Sequence, residues 1–118
     1  GDTAPVPSLV EAARGADLLV CGVFVEREMQ AVPGVRSAET IAAVRSYHMT
    51  PGAIAAAASD AKVKALALTH VVPPHADGAA LVAEIREAYH GPVILGEDLM
   101  SIDPLARTLA FPGLHLAY

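Results

Sequence analysis

The sequence has no tryptophan and a single cysteine. Because one thiol, Cys21, cannot form an internal disulfide, the chain is not a disulfide-stapled scaffold, and it fits a reducing compartment such as the cytoplasm. Aromatic residues make up 4% of the chain, whereas hydrophobic residues of all kinds make up 53%. We therefore predict a core of alanine and aliphatic side chains, which suits close packing of helices on a sheet.

Positive charge is also scarce. The 8 Lys and Arg residues are outnumbered by 13 Asp and Glu residues, the net charge is −5, and the only lysines are Lys62 and Lys64. Because nucleic-acid binding depends on positive surface charge, we predict a small-molecule substrate rather than a nucleic-acid partner. No apolar run is long enough to span a membrane, and no basic segment leads into an apolar one, so we expect neither a membrane partner nor a signal peptide. A homo-oligomer remains open.

The apolar runs and helical patterns alternate, which predicts an α/β fold in a single domain over residues 1–118. Continuous apolar runs at 18–25, 63–68 and 92–96 predict buried strands, the second of which ends before two prolines, Pro73 and Pro74. A short helix through Arg14 is predicted to start at Ser8 or at the turn before it, and capped helices are predicted at Ser37–Tyr47, Pro51–Asp60 and Asp77–Gly91. Residues 97–102 predict an edge strand or a turn, and the apolar tail 104–118 has no clear period and receives no assignment.

Residues that can bind a metal ion lie near the ends of these elements. Asp2 occupies a Gly-Asp-Thr turn, His48 precedes the helix N-cap Thr50, and His70 lies at the C-terminal end of the strand that stops before the prolines. Carboxylate and imidazole groups are ligands that divalent metals of borderline softness prefer. We interpret the three side chains as parts of one metal site. Each also has a simpler explanation, as a turn aspartate, a residue that precedes a helix, and a hydrogen-bonded histidine at a strand end.

Together these stretches resemble the C-terminal half of the metallo-β-lactamase superfamily, and within it the ribonuclease Z-like and arylsulfatase-like hydrolases. The resemblance is carried by Gly1-Asp2-Thr3, Asp17-Leu18-Leu19-Val20, His48-Met49-Thr50-Pro51, Leu68-Thr69-His70 and Gly96-Glu97-Asp98. It implies half of a four-layer αββα sandwich, with one sheet and its outer helices.

The resemblance also implies roles for the candidate residues. In that family the Gly-Asp-Thr aspartate bridges two metal ions and the histidine of Leu-Thr-His is a ligand, which assigns metal binding to Asp2 and His70. The histidine of the His-x-Thr segment assists proton transfer, which makes His48 the catalytic candidate. The implied cofactor is a pair of zinc ions, with manganese or iron as alternatives. The implied reaction is attack of a metal-activated water on an ester, phosphodiester, sulfate ester or lactam.

The sequence departs from the family pattern at two places. The family has a His-Glu pair at the end of its second strand, where this sequence has Cys21-Gly22-Val23, and we interpret Cys21 as an inert buried thiol. The His-x-His-x-Asp-His motif, which supplies most of the family's metal ligands, does not occur among these 118 residues. We therefore expect an N-terminal half that carries this motif to complete the site.

A different function class also fits the sequence. A non-catalytic α/β assembly or dimerisation module would use the alanine-rich helix 51–60 and the apolar tail as packing surfaces. A dinucleotide binder of Rossmann or flavodoxin type ranks last, because no Gly-x-Gly-x-x-Gly turn follows a predicted strand.

Overall fold

Helices and strands alternate along most of the chain, which ends in a run of short strands. A computed structural model describes residues 2–118. In this part of the chain the helices are α1 (Pro7–Ala13), α2 (Ala38–Ser46), α3 (Pro51–Asp60) and α4 (Gly78–Arg86). The strands are β1 (Leu19–Phe24), β2 (Leu66–Val72), β3 (Val93–Leu95), β4 (Ser101–Asp103), β5 (Thr108–Phe111) and β6 (Leu114–Ala117). The predicted α/β class is confirmed.

Strands β1, β2 and β3 form a parallel sheet with β2 in the centre. Leu66 of β2 pairs with Leu19 of β1 on one side and with Val93 of β3 on the other. Parallel neighbours require a crossover connection, and α2 with α3 joins β1 to β2, whereas α4 joins β2 to β3. The carboxyl ends of all three strands therefore lie at one edge of this sheet.

The main core lies between the parallel sheet and the helices. Leu66 and Leu68 of the central strand, Ile54 of α3 and Ile85 of α4 are 0% exposed and belong to one cluster. Helix α3 is rich in alanine, and Ala58 is also fully buried, so this helix can approach the sheet closely. The predicted core of small aliphatic side chains is confirmed, and it fixes the helices against the strands that carry the candidate residues.

The helix starts follow the capping chemistry, with one exception. The side chains of Ser37, Thr50 and Asp77 accept backbone hydrogen bonds at the starts of α2, α3 and α4, as predicted. For α1 the sequence left the start open between Ser8 and the turn before it, and the helix begins in that turn, at Pro7, without a side-chain cap. Proline suits the first helical turn, since the N–H that it lacks would have no partner within the helix.

Residues 101–117 form a second sheet that the sequence did not predict, so the expectation of one sheet is corrected. Strands β4, β5 and β6 pair antiparallel in chain order, and a turn at 112–113 with Gly113 at a φ of 83° joins β5 to β6. All residues of β5 are half-buried and all residues of β6 are exposed. The strands have only three or four residues each, which is too short for an alternating pattern to identify a strand in the sequence.

Candidate active site

His70 lies at an irregularity in the central strand. Thr69 pairs with Gly22 and Val71 pairs with Val23, so the ladder between β1 and β2 passes over His70. The backbone of His70 has a φ of 44°, in the left-handed region, and its side chain is 55% exposed. This is the geometry of a β-bulge, which redirects a side chain.

Strand β2 ends at Val72, directly before the two prolines as predicted, and His70 is the third residue from that end. In a regular strand His70 would face the same side as Leu68, which is in the core. The amide of Gly96 donates a 2.8 Å hydrogen bond to the Leu68 carbonyl, and a Cβ at position 96 would lie 3.0 Å from that oxygen. Because position 96 is a glycine, the backbone after β3 can approach Leu68 closely and hold strand β2 just before His70.

His48 is buried between α2 and α3, at 6% exposure. Its Nδ1 lies 2.8 Å from the carbonyl oxygen of Val44. Because a carbonyl only accepts hydrogen bonds, Nδ1 carries a proton and donates it to Val44, which leaves Nε2 as the ring nitrogen that is directed at Asp2. The next residue is fixed as well, since the Met49 carbonyl accepts a 2.9 Å hydrogen bond from the Phe24 amide. Helix α2 and strand β1 thus hold the His48 segment from both sides.

Asp2 lies between the two imidazoles. Its Oδ1 is 3.2 Å from Nε2 of His48 and 3.3 Å from Nδ1 of His70. Asp2 is on irregular backbone before α1 rather than at a strand end, and its side chain is 51% exposed. Gly1, the first residue of the predicted Gly-Asp-Thr turn, lies outside the described residues.

The structure brings the three predicted residues together. One candidate ligand atom from each of Asp2, His48 and His70 lies within 4.8 Å of the other two. The imidazole rings of the histidines have centroids 5.5 Å apart. Carboxylate oxygens and imidazole nitrogens are metal ligands in proteins, and the spacing of these three is compatible with one shared ion.

Nε2 of His48 indicates whether the side chains of Asp2, His48 and His70 fit a bound cation. Nε2 is buried and has no hydrogen-bond partner within residues 2–118, although Asp2 Oδ1 is 3.2 Å away. Buried polar atoms in native proteins almost always have a partner, because an unpaired one is costly. A metal ion or a reacting oxygen between the three side chains would provide that partner, so the donor set fits such a group.

The remaining candidates from the sequence lie apart from this cluster. Cys21 is buried, at 4% exposure, and burial raises the pKa of its thiol, so it is a weak nucleophile as predicted. His75, Glu97 and Asp98 are exposed. None of these residues belongs to the metal-binding group found among the described residues.

Two aromatic residues pack around His48, and neither was predicted from the sequence to lie at the site. The ring centroid of Tyr47 is 4.8 Å from that of His48, and the centroid of Phe24 is 6.1 Å away. Phe24 is 0% exposed, whereas Tyr47 is 46% exposed. The sequence signal for Tyr47 is its position next to the catalytic candidate in a chain with 3 tyrosines and 2 phenylalanines.

A groove opens beside His48. It has a volume of about 340 Å³ and is lined in part by Arg45, Thr50 and His48. The guanidinium of Arg45 is 2.7 Å from a carboxylate oxygen of Glu26. The groove therefore contains a cation that is already paired with an acidic side chain.

The helices do not have the dimensions of membrane spans. No helix within residues 2–118 is both long enough and apolar enough to cross a bilayer.

Curated relatives of this chain are ribonucleases. The chain is 35% identical over 105 residues to Ribonuclease Z of Myxococcus xanthus, an alignment that covers 87% of this chain and 31% of the relative. It is 36% identical over 114 residues to Ribonuclease Z of Haloarcula marismortui, covering 95% of this chain and 32% of the relative. The chain thus spans about a third of the length of these relatives. No protein-family model matches the chain.

A solved structure shares the fold. The metallo-beta-lactamase fold protein YhfI from Bacillus subtilis superposes with a TM-score of 0.59 at 20% sequence identity, over 82% of this chain and 35% of that protein. This likeness shows that the chain contains part of a metallo-β-lactamase fold. The name of the curated relatives is at odds with the prediction against a nucleic-acid partner, since a ribonuclease acts on RNA.

Proposed function

We propose that this chain, which belongs to the metallo-β-lactamase superfamily and is similar to ribonuclease Z, supplies part of the active site of a metal-dependent phosphodiester hydrolase. The observation that carries the proposal is the convergence of Asp2, His48 and His70, whose candidate ligand atoms lie within 4.8 Å of one another. Similarity to ribonucleases favours a phosphodiester, and RNA in particular, over the ester, sulfate ester and lactam substrates.

In the proposed site Asp2 and His70 hold the metal. The carboxylate of Asp2 lies 3.2 Å and 3.3 Å from the two imidazoles, a central position that suits a ligand shared between ions. Zinc is the proposed ion, with manganese or iron as alternatives, because the donors are a carboxylate and imidazoles. When bound, the metal lowers the pKa of a coordinated water and polarises the scissile bond.

His48 is the proposed general acid–base residue. Its Nδ1–H is committed to the Val44 carbonyl, so Nε2 is the atom that accepts a proton from the reacting group and returns it to the leaving oxygen. The ring is 6% exposed, and bulk water therefore competes little for Nε2. The Val44 carbonyl fixes the tautomer and orientation of the ring, as an acceptor on the opposite nitrogen does in other histidine sites.

The site is proposed to be completed by residues outside this chain. The curated relatives are about three times as long as the chain, which spans 31% and 32% of two of them. The proposed ligands Asp2 and His70 offer fewer donors than two metal ions require. An N-terminal half with a His-x-His-x-Asp-His motif would supply the other ligands.

Two single variants test the proposal. In the complete protein that carries this chain, we expect Asp2→Ala and His70→Ala to reduce the bound metal and to abolish hydrolysis of bis(4-nitrophenyl) phosphate and of a short RNA. Metal content by mass spectrometry and initial rates are measured on the same preparations. His115→Ala, in the exposed strand β6, is the matched control and should keep metal and rate. Full metal content and unchanged turnover in both site variants would contradict the proposal.

A second candidate is a non-catalytic assembly module. A groove of about 450 Å³ between α1 and α3 is lined mainly by apolar residues, among them Val6, Val10 and Ala56. This surface suits a packing partner. If the complete protein binds no metal and hydrolyses neither substrate but forms a stable oligomer by light scattering, the assembly function replaces the proposed one.

A further inference from the structure

Tyr47 presents a partly exposed ring next to the proposed general acid–base residue. Its centroid is 4.8 Å from that of His48, and 46% of the residue is exposed. Phe24, on another side of the same imidazole, is fully buried. Phe24 therefore packs His48 into the fold, whereas Tyr47 keeps a surface that no packing within the described chain uses.

Tyr47 and His48 share one hydrogen-bond acceptor. The amide of Tyr47 donates a 3.4 Å hydrogen bond to the Val44 carbonyl, and Nδ1 of His48 lies 2.8 Å from the same oxygen. Tyr47 is the C-cap residue of α2, so both residues lie at the end of that helix. With 4.8 Å between the two ring centroids, a group that rests on the Tyr47 ring lies next to His48.

The charge around the site favours substrate contact through an aromatic ring over substrate contact through positively charged side chains. The chain has a net charge of −5, and the arginine in the groove beside His48, Arg45, is already paired with Glu26. Phosphate contacts by this chain alone are therefore few. Stacking of a base on an aromatic side chain supplies binding free energy without positive charge, and unstacked bases of single-stranded RNA are commonly bound in this way.

We infer that Tyr47 determines substrate preference by stacking on a planar group, a nucleobase, that neighbours the scissile phosphodiester. The inference rests on the proposed function, and it names a contact that the metal ligands do not make. Tyr47 touches the substrate in this scheme and takes no part in proton transfer. The preference for a substrate that carries the base over one that lacks it therefore depends on the ring.

The test compares base-bearing and abasic substrates in the complete, metal-loaded protein. kcat and KM are measured for a short RNA and for the same RNA with the base removed on either side of the scissile phosphate. We expect Tyr47→Leu to lower the preference, as a ratio of kcat/KM values, by about 5- to 150-fold, the range that corresponds to one stacked base. Tyr47→Phe should retain the preference, and Leu105→Ala, 83% exposed and outside the site, serves as the control.

Each outcome decides the inference. If Tyr47→Leu lowers the rates on base-bearing and abasic RNA by the same factor, the ring only supports His48 and the inference is wrong. If the unsubstituted protein cleaves both RNAs without preference, the inference fails and the proposed function stands. If it cleaves neither, both fail. A second readout does not need turnover: Tyr47→Leu should weaken binding of adenosine 5′-monophosphate but not of ribose 5-phosphate, and equal binding of both by the unsubstituted protein would contradict the inference.

Discussion

The two sheets of this chain differ in how they are covered. In the parallel sheet, four consecutive residues of β1 and the first three of β2 are buried. In the antiparallel sheet, β5 is half-buried throughout and β6 is exposed throughout. All three site residues lie beside the parallel sheet and its helices, and none lies in β4, β5 or β6. His48 and His70 are therefore carried by segments that contact the core, whereas Asp2 reaches them from irregular backbone before α1.

A comparison of two histidines sharpens this contrast most. In the complete protein we expect His48→Ala to keep its metal and to lose about 100- to 10,000-fold in turnover, the usual scale for a general acid or base. His115→Ala, in the exposed strand β6, should change neither quantity. Metal stoichiometry and turnover are measured on the same samples. Loss of metal would make His48 a ligand, and full turnover would reduce it to a residue that precedes a helix.

A comparison of two leucines gives the next largest effect. Leu68 is 0% exposed in the parallel sheet, and Leu116 is 46% exposed in β6. Leu68→Ala should lower the free energy of unfolding by about 2–5 kcal/mol, because it leaves a cavity in the core. Leu116→Ala should change it by less than about 0.5 kcal/mol. Urea denaturation of both variants measures the difference, and equal losses would show that β6 is covered by other residues in the protein.

A helix cap provides the smallest expected effect. Ser37→Ala should cost about 1 kcal/mol, because the hydroxyl accepts the Thr40 amide at the start of α2. The hydrogen bond with Ser37 also lowers the pKa of Glu39 from its ordinary value of 4.5. Stability linked to Glu39 is therefore present above that value and is lost as the pH falls through the lower value of the folded state. Urea denaturation at neutral pH and near pH 3 tests both statements, and a loss that grows on acidification would contradict the second.

Much of this fold follows from local rules in the sequence. The prolines after β2, the caps at Thr50 and Asp77 and the alanine-rich α3 are predictable because each depends on neighbouring residues alone. The convergence of Asp2 with His70 follows from a family resemblance, since their separation in the sequence carries no geometric information. Local chemistry and the resemblance therefore account for the parts of the fold and of the site that the amino-acid sequence predicts correctly.

The remainder depends on contacts between distant parts of the chain. The bulge at His70 is a mismatch between β1 and β2, and a single strand's sequence does not record its partner's register. The strands β5 and β6 have four residues each and no buried face, so their sequences are too short to identify them as strands. The unpaired Nε2 of His48 becomes visible only when Asp2 and the Val44 carbonyl are in place around the ring.

The bulge leaves His70 outside the pairing that holds β1 and β2 together. Because the ladder joins Thr69 to Gly22 and Val71 to Val23, the pairing of the strand is continuous without His70. His70 is not paired with a residue of β1, and its side chain lies outside the core. Replacement of the His70 side chain therefore removes no pairing from the sheet, whereas truncation of a buried leucine such as Leu68 removes packing from the core. The position of the imidazole and the stability of the sheet can be altered separately.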